Sequence, residues 1–258
     1  MTFVLIGMAM ALALFLGMLL CFQVGRRTAH FTKRSLVEGD TKTTSTIDAA
    51  VFGILGLLVT FTFYGAGDRL DSRRGLIVEE ANAIGTAFLR TDLLPPNLQP
   101  EMRDAFRKYL DTRLGFYKSL SNTEEASVEL QQSSALQKRI WERSVAGSAA
   151  TGAHPDAARL LLPALNSMID ITTTRRMAMQ MHPPGIIFGM LFGFSLVASL
   201  LAGRTSAGTQ GTWPAMCIFA GVMAVAVYVT LDLEFPRFGF IRVDSFDQAL
   251  VEVRARMD

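Results

Sequence analysis

Four stretches of the chain are apolar on every face of a helix rather than on one: Phe3–Phe22, Ala49–Gly67, Gly185–Gly203 and Trp213–Leu231. Each has about the 20 residues that a helix needs to cross a hydrocarbon core of roughly 30 Å. Their ends are punctuated. Asp48 precedes the second, Pro183 and Pro184 precede the third, and Pro214 opens the fourth, where a missing N–H costs nothing. Tyr64 and Trp213 sit at span ends, the depth favoured by amphipathic rings. The first span has no basic n-region and no small-residue cleavage signal, so it is read as retained.

Between the second and third spans the pattern becomes amphipathic. No proline interrupts Ala49 to Leu94, so span two is expected to continue as one helix. The 27 residues after Gly67 would extend it by roughly 40 Å, with Gly65-Ala66-Gly67 as a candidate hinge. Pro95, Pro96 and Pro100 end it. Met102, Phe106, Leu110, Leu114 and Tyr117 form a second helical stripe. Asn122 with Glu124 and Glu125 reads as a helix start. A less regular stripe follows through Val128, Ala135, Ile140, Trp141 and Val145. A last helix runs through Leu161, Leu165, Met168 and Ile169 to Met181, with an amphipathic tail helix near 245–257; Phe238–Val243 is the one short strand candidate. The reading is an all-α membrane protein: four transmembrane helices with a helical bundle inserted between spans two and three. Its parts are 1–67 (spans one and two with a basic connecting loop), 68–184 (an extramembrane bundle), 185–231 (spans three and four) and 232–258 (an amphipathic tail).

Composition sharpens this picture. The 25 Lys+Arg and 23 Asp+Glu lie outside four charge-free windows, 1–25, 49–67, 177–203 and 205–231. The hydrophobic fraction of 50% therefore averages two regimes, which excludes a single soluble globule, a disordered chain and a disulfide scaffold. A net charge of +2 gives no reason to propose nucleic-acid binding. Arg26, Arg27, Lys33, Arg34 and Lys42 lie in the 23–48 connection, which the positive-inside rule assigns to the cytoplasm. Cys21 and Cys217 are intramembrane and read as small packing residues.

Enzyme motifs are missing. His30, His154 and His182 are scattered, and no nucleophile elbow, phosphate-binding loop or dinucleotide fingerprint occurs. Neither catalytic residues, a metal site nor a cofactor is expected. The informative polar groups lie where spans two and four leave the bilayer. Arg69, Asp71, Arg73, Arg74, Asp232, Glu234 and Arg237 form a charge ring, either an ion vestibule or interfacial pairs that set span register. A polar ladder of Glu79, Asn82, Thr86, Asn166, Asp170 and Arg175 is expected to join antiparallel neighbouring helices at matched height. Gly185, Gly189 and Gly193 form a helix-packing ladder, with Ala49/Gly53 and Ala220/Ala224 as shorter examples.

The run Gly67–Pro95 (GDRLDSRRGLIVEEANAIGTAFLRTDLLP), with Ala164–Arg175 (ALNSMIDITTTR) and Asp232–Val243 (DLEFPRFGFIRV), resembles the bacterial bestrophin-like domain family. Together these segments bracket about 67–243. The resemblance implies a multi-pass protein of a bacterial inner membrane, remotely similar to bestrophin anion channels. Those channels are pentamers with four membrane helices per subunit and a large helical region between the second and third. They keep that region in the cytoplasm, opposite to the assignment from loop charge. They also carry an acidic calcium clasp after the last span, of which this chain offers only Asp232 and Glu234. The expected function is an oligomeric, channel-like protein passing small ions, anions being the class the resemblance suggests. The alternative is a non-transporting sensor or scaffold whose 68–184 bundle binds a protein partner. The expected partners are the lipid bilayer and further copies of the chain.

Overall fold

The computed structural model describes residues 2–32, 40–119, 123–209 and 211–258. Lys33, Arg34 and Asn122 lie outside the described residues. The elements in order are α1 (Thr2–Thr32), α2 (Asp40–Leu89), α3 (Gln99–Lys118), α4 (Thr123–Ser148), α5 (Ala157–Gln180), α6 (Gly185–Thr205), α7 (Thr212–Glu234) and α8 (Gln248–Ala255). No strand occurs among the described residues. Four helices are long and apolar enough to cross a membrane. This is an all-α membrane fold. α2 is a single 50-residue helix, and Gly65 and Gly67 are helical within it rather than a hinge.

The chain divides into two compact units, Met1–Leu70 with His182–Ile241, and Asp71–Met181 with Arg242–Asp258. α2 contributes to both. The tail is divided as well, its last 17 residues, 242–258, belonging with the bundle.

The first unit contains the apolar helices. Leu14, Met18, Phe22, Leu55, Leu191, Ala198, Met216, Ala220 and Val227 build its core. Lipid tails are as apolar as these side chains, so close packing rather than water exclusion must hold the helices together. The closest approach is between α1 and α6. A Cβ on Gly25 would run into the Leu200 carbonyl oxygen, and one on Gly203 into the Phe22 carbonyl oxygen. Backbone touches backbone there, and only glycine fits. The expected ladder on α6 behaves differently. At Gly185, Gly189 and Gly193 a Cβ would meet no atom within 4 Å, so these glycines pack against nothing in their own chain among the described residues. At one end of the helices Arg26 donates to Thr212 Oγ1 (3.4 Å) and Thr205 Oγ1 donates to Asp48 Oδ2 (2.7 Å). Cys21 and Cys217 are free, half-buried thiols.

The second unit has a water-type core. Ile84, Phe88, Met102, Phe106, Tyr109, Leu110, Ile140, Leu161, Leu165 and Met168 are buried in it, joined by Leu250 and Met257 from the tail. Leu70, Ile77, Ala81, Ile84 and Phe88 are all buried, as their spacing predicts. α4 departs from expectation. Val128 and Val145 are exposed, and the buried face runs through Ala126, Ser133, Ile140 and Ser144. Two of those four residues are serines, so apolar periodicity reveals only part of the face.

Phe238–Val243 is not a strand. Its N–H groups at Phe240 and Ile241 donate to the Asp232 carboxylate (3.0 and 2.7 Å) instead of to a neighbouring strand. Gly239 is required at this turn because a Cβ there would overlap that carboxylate.

Candidate functional site

The last turn of α7 buries two carboxylates, Asp232 and Glu234, each about 1–2% exposed. An unpaired buried charge is costly, so each must be satisfied internally. Asp232 is satisfied by the two N–H groups of the following turn. Glu234 receives Arg69, whose Nε lies 2.9 Å from Oε1 and 3.2 Å from Oε2, while Nη2 donates to Oε1. His182 Nδ1 lies 3.5 Å from Glu234 Oε2, and its ring stacks on Phe235 with centroids 4.4 Å apart. The fork of Arg69 therefore ties α2 to α7 through a charge-assisted pair of fixed geometry. Calcium needs several free carboxylate or carbonyl oxygens. Asp232 and Glu234 have theirs taken by N–H donors and a guanidinium, so the pair does not fit a calcium clasp.

Truncating one partner of a fully buried ion pair costs about 3–5 kcal/mol. The Arg69 side chain is 30% exposed, which screens part of the loss. Glu234→Gln is therefore expected to lower stability by about 2 kcal/mol, read from denaturant titration of the detergent-solubilised protein.

The other members of the expected ring belong to the second unit. Arg73 is buried and donates to the carbonyl oxygens of Ala178 (3.1 Å) and Met181 (2.7 Å). A cation at these terminal carbonyls complements the end of α5. Arg74 pairs with the exposed Asp71 at 3.1 Å and lies over the Phe246 ring. Arg237 in the first unit is half-buried. The charge ring thus resolves into separate local tasks: one buried ion pair, one turn clamp, one helix-end cap and one surface pair.

The strongest polar constellation lies within the bundle. Glu80 of α2 is fully buried between Arg113 of α3 and Arg175 of α5, which are 3% and 5% exposed. Arg113 Nε donates to Oε1 at 2.6 Å; Arg175 and the Tyr117 hydroxyl (3.0 Å) donate to Oε2. Arg113 also donates to the Tyr117 oxygen, and the Arg175 guanidinium lies 4.0 Å from the Tyr117 ring centroid. Burial, reinforced by the nearby Glu80 carboxylate, pushes the Tyr117 phenol above its ordinary pKa, so it stays a donor at neutral pH. Burial alone would pull Arg113 down, but Tyr117 and Glu80 hold it above its usual value. A second link starts from α4, where Gln137 Nε2 donates to Tyr109 Oη at 3.0 Å and lies 3.4 Å from Thr172 Oγ1. Polar bonds therefore stitch α2, α3, α4 and α5 together through their interior.

The polar ladder needs correction. α2 and α5 are antiparallel neighbours: Arg73 meets Ala178, Glu80 meets Arg175, and Arg90 Nη1 donates to the Leu160 carbonyl (2.5 Å). The residues that join them are different ones. Glu79, Asn82, Thr86, Asn166 and Asp170 are exposed, and only Arg175 of the expected set is buried. Glu79 and Glu80 are about 100° apart around a helix, and the buried partner is Glu80. Glu80, Arg113, Tyr117, His182 and Gly239 were all missed as polar or turn determinants. For two of them a signal existed. Glu80 lies three residues after Ile77 and four before Ile84, and Arg113 lies three after Leu110 and four before Tyr117. A charge in register with an apolar stripe is a buried charge seeking a partner.

These features define a multi-pass, all-helical membrane protein with an ion-paired helical bundle carried between its second and third spans. The bestrophin-like domain model matches residues 12–245, and the chain belongs to the bestrophin-like family. No curated protein and no solved structure matches the chain.

Proposed function

We propose that the protein assembles as a homo-oligomer around the exposed face of α2 and passes small ions, anions by preference, across a bacterial inner membrane. The observation that carries this reading is a stripe of small residues down α2. Ala49, Gly53, Gly56 and Thr60 recur at steps of four, three and four, and all are exposed in a single chain. A Cβ on Gly53 or Gly56 would meet nothing within 4 Å. The apolar stretch of α2 is also the least buried of the four. Glycines facing lipid contribute no packing, whereas around an axis they let copies approach closely and narrow a passage without charge. Membership in a family named for its likeness to bestrophin anion channels supports the same reading. Arg69, Arg73 and Arg74 follow that stripe along the sequence of α2.

In planar bilayers under a chloride gradient, the purified protein is expected to conduct with a reversal potential displaced toward that of chloride. Thr60→Trp is expected to abolish conductance while the mass of the complex is unchanged. A monomeric protein, or no conductance under any ion gradient, would overturn the proposal in favour of a non-transporting sensor or scaffold.

A further inference from the structure

The bundle holds a cavity of about 200 Å³ between α3, α4 and α5. That is about six or seven water volumes at roughly 30 Å³ each. Arg113, Ser133, Gln137, Thr173 and Arg176 contribute its polar lining, and Phe116, Leu130, Ile169 and Met179 its apolar lining. No Asp or Glu lines it.

Three observations indicate what such a cavity would take. The first is the charge balance behind its wall. Glu80 is shared by Arg113 and Arg175, so one buried carboxylate answers two buried guanidiniums. Asp247, 3.9 Å from Arg175, supplies the second negative charge there and does not line the cavity. Arg176, an exposed side chain at the rim of this balance, forms no ion pair among the described residues. The second is Ser133, only 2% exposed, which brings a hydroxyl to the cavity wall. A hydroxyl in that wall can donate to a group that enters. The third is the type of polar group still free. Both Gln137 amide hydrogens point to acceptors already in place, Tyr109 and Thr172. Of the groups left over, Ser133 and Thr173 can donate or accept, and Arg176 can only donate.

Two guanidiniums in the lining, one of them without an ion pair, hydroxyls able to donate and no acid together select an anion. The four apolar side chains select a body attached to it, which a bare inorganic ion lacks. We propose that this cavity is a binding site for a small organic acid, a carboxylate carrying a short apolar group, held by Arg176 and Ser133. The site lies wholly within the bundle and does not depend on ion conduction, so failure of the conduction experiment leaves it standing.

Isothermal titration of the full-length protein in detergent tests it, with acetate, butyrate and benzoate as probes and butyramide as the uncharged analogue. At least one carboxylate is expected to bind at one site per chain, and butyramide at least tenfold more weakly than butyrate. Arg176→Gln alters an exposed side chain and is expected to weaken carboxylate binding about tenfold with unchanged thermal stability. Ser133→Ala is expected to weaken it several-fold. Absence of binding by all three acids, equal affinity for butyrate and butyramide, or full retention in Arg176→Gln would overturn the proposal. Chloride competing as effectively as butyrate would overturn it too, reducing the site to one for inorganic anions.

Discussion

Glu80→Gln is expected to destabilise the bundle by about 3–5 kcal/mol, the range for breaking a buried ion pair from one side. The substitution keeps the shape of the side chain and removes only its charge. Arg113 and Arg175 would then remain 3% and 5% exposed with their shared counter-charge gone. Neither can deprotonate to escape, because guanidinium stays charged under all ordinary conditions. Tyr117 would also lose the carboxylate that accepts its hydrogen bond. Urea titration followed by tryptophan fluorescence measures the effect, since Trp141 lies in α4. Glu79→Gln is the matched control: Glu79 is exposed, and its change is expected to stay within about 0.5 kcal/mol. A triple replacement of Glu80, Arg113 and Arg175 by apolar residues of similar volume is expected to recover most of the loss, as buried ionic clusters often tolerate such exchange. Equal stability of Glu80→Gln and Glu79→Gln would show that the cluster is not the bond between α2, α3 and α5.

That one-residue difference also shows where sequence reasoning stopped. The apolar side of α2 was legible because Leu70, Ile77, Ala81, Ile84 and Phe88 recur with helical period, and all five are buried. The polar partners were sought on the opposite side, on the premise that charge faces water. Glu80 breaks that premise because two arginines from helices 33 and 95 residues away neutralise it, a pairing no local pattern encodes. α4 failed for another reason. Its inward face is built from Ala126, Ser133 and Ser144, whose small side chains leave no hydrophobic period. The four spans were legible because lipid demands apolar residues all round a helix, a stronger constraint than amphipathicity. The Asp232 turn was misread because Phe238, Phe240, Ile241 and Val243 have strand propensity, while the hydrogen bonds that decide the matter come from a carboxylate six residues before the segment.

Glycine was visible in the sequence, but its two uses were not distinguishable there. Gly25 and Gly203 sit where α1 and α6 touch backbone to backbone, while Gly189 faces no atom of its own chain. Gly203→Val is therefore expected to lower stability by about 3 kcal/mol, the upper end for overpacking. The obstacle is the Phe22 carbonyl, a backbone group that can move only if a whole helix moves. Separating α1 from α6 would open a seam that hydrophobic collapse cannot close, because lipid solvates the parted surfaces equally well. Gly189→Val is expected to leave the protomer's thermal midpoint within about 2 °C, a shift worth about 1 kcal/mol at most in a chain of this size. In an oligomer that uses the α6 ladder as a contact, the same substitution lowers the mass of the complex. Thermal unfolding and light scattering of the detergent-solubilised protein separate the two effects. If Gly203→Val matched the wild type in both, the α1–α6 contact would not be what holds the apolar helices together. If Gly189→Val kept the full mass of the complex, the α6 ladder would face lipid, and assembly would rest on α2 alone.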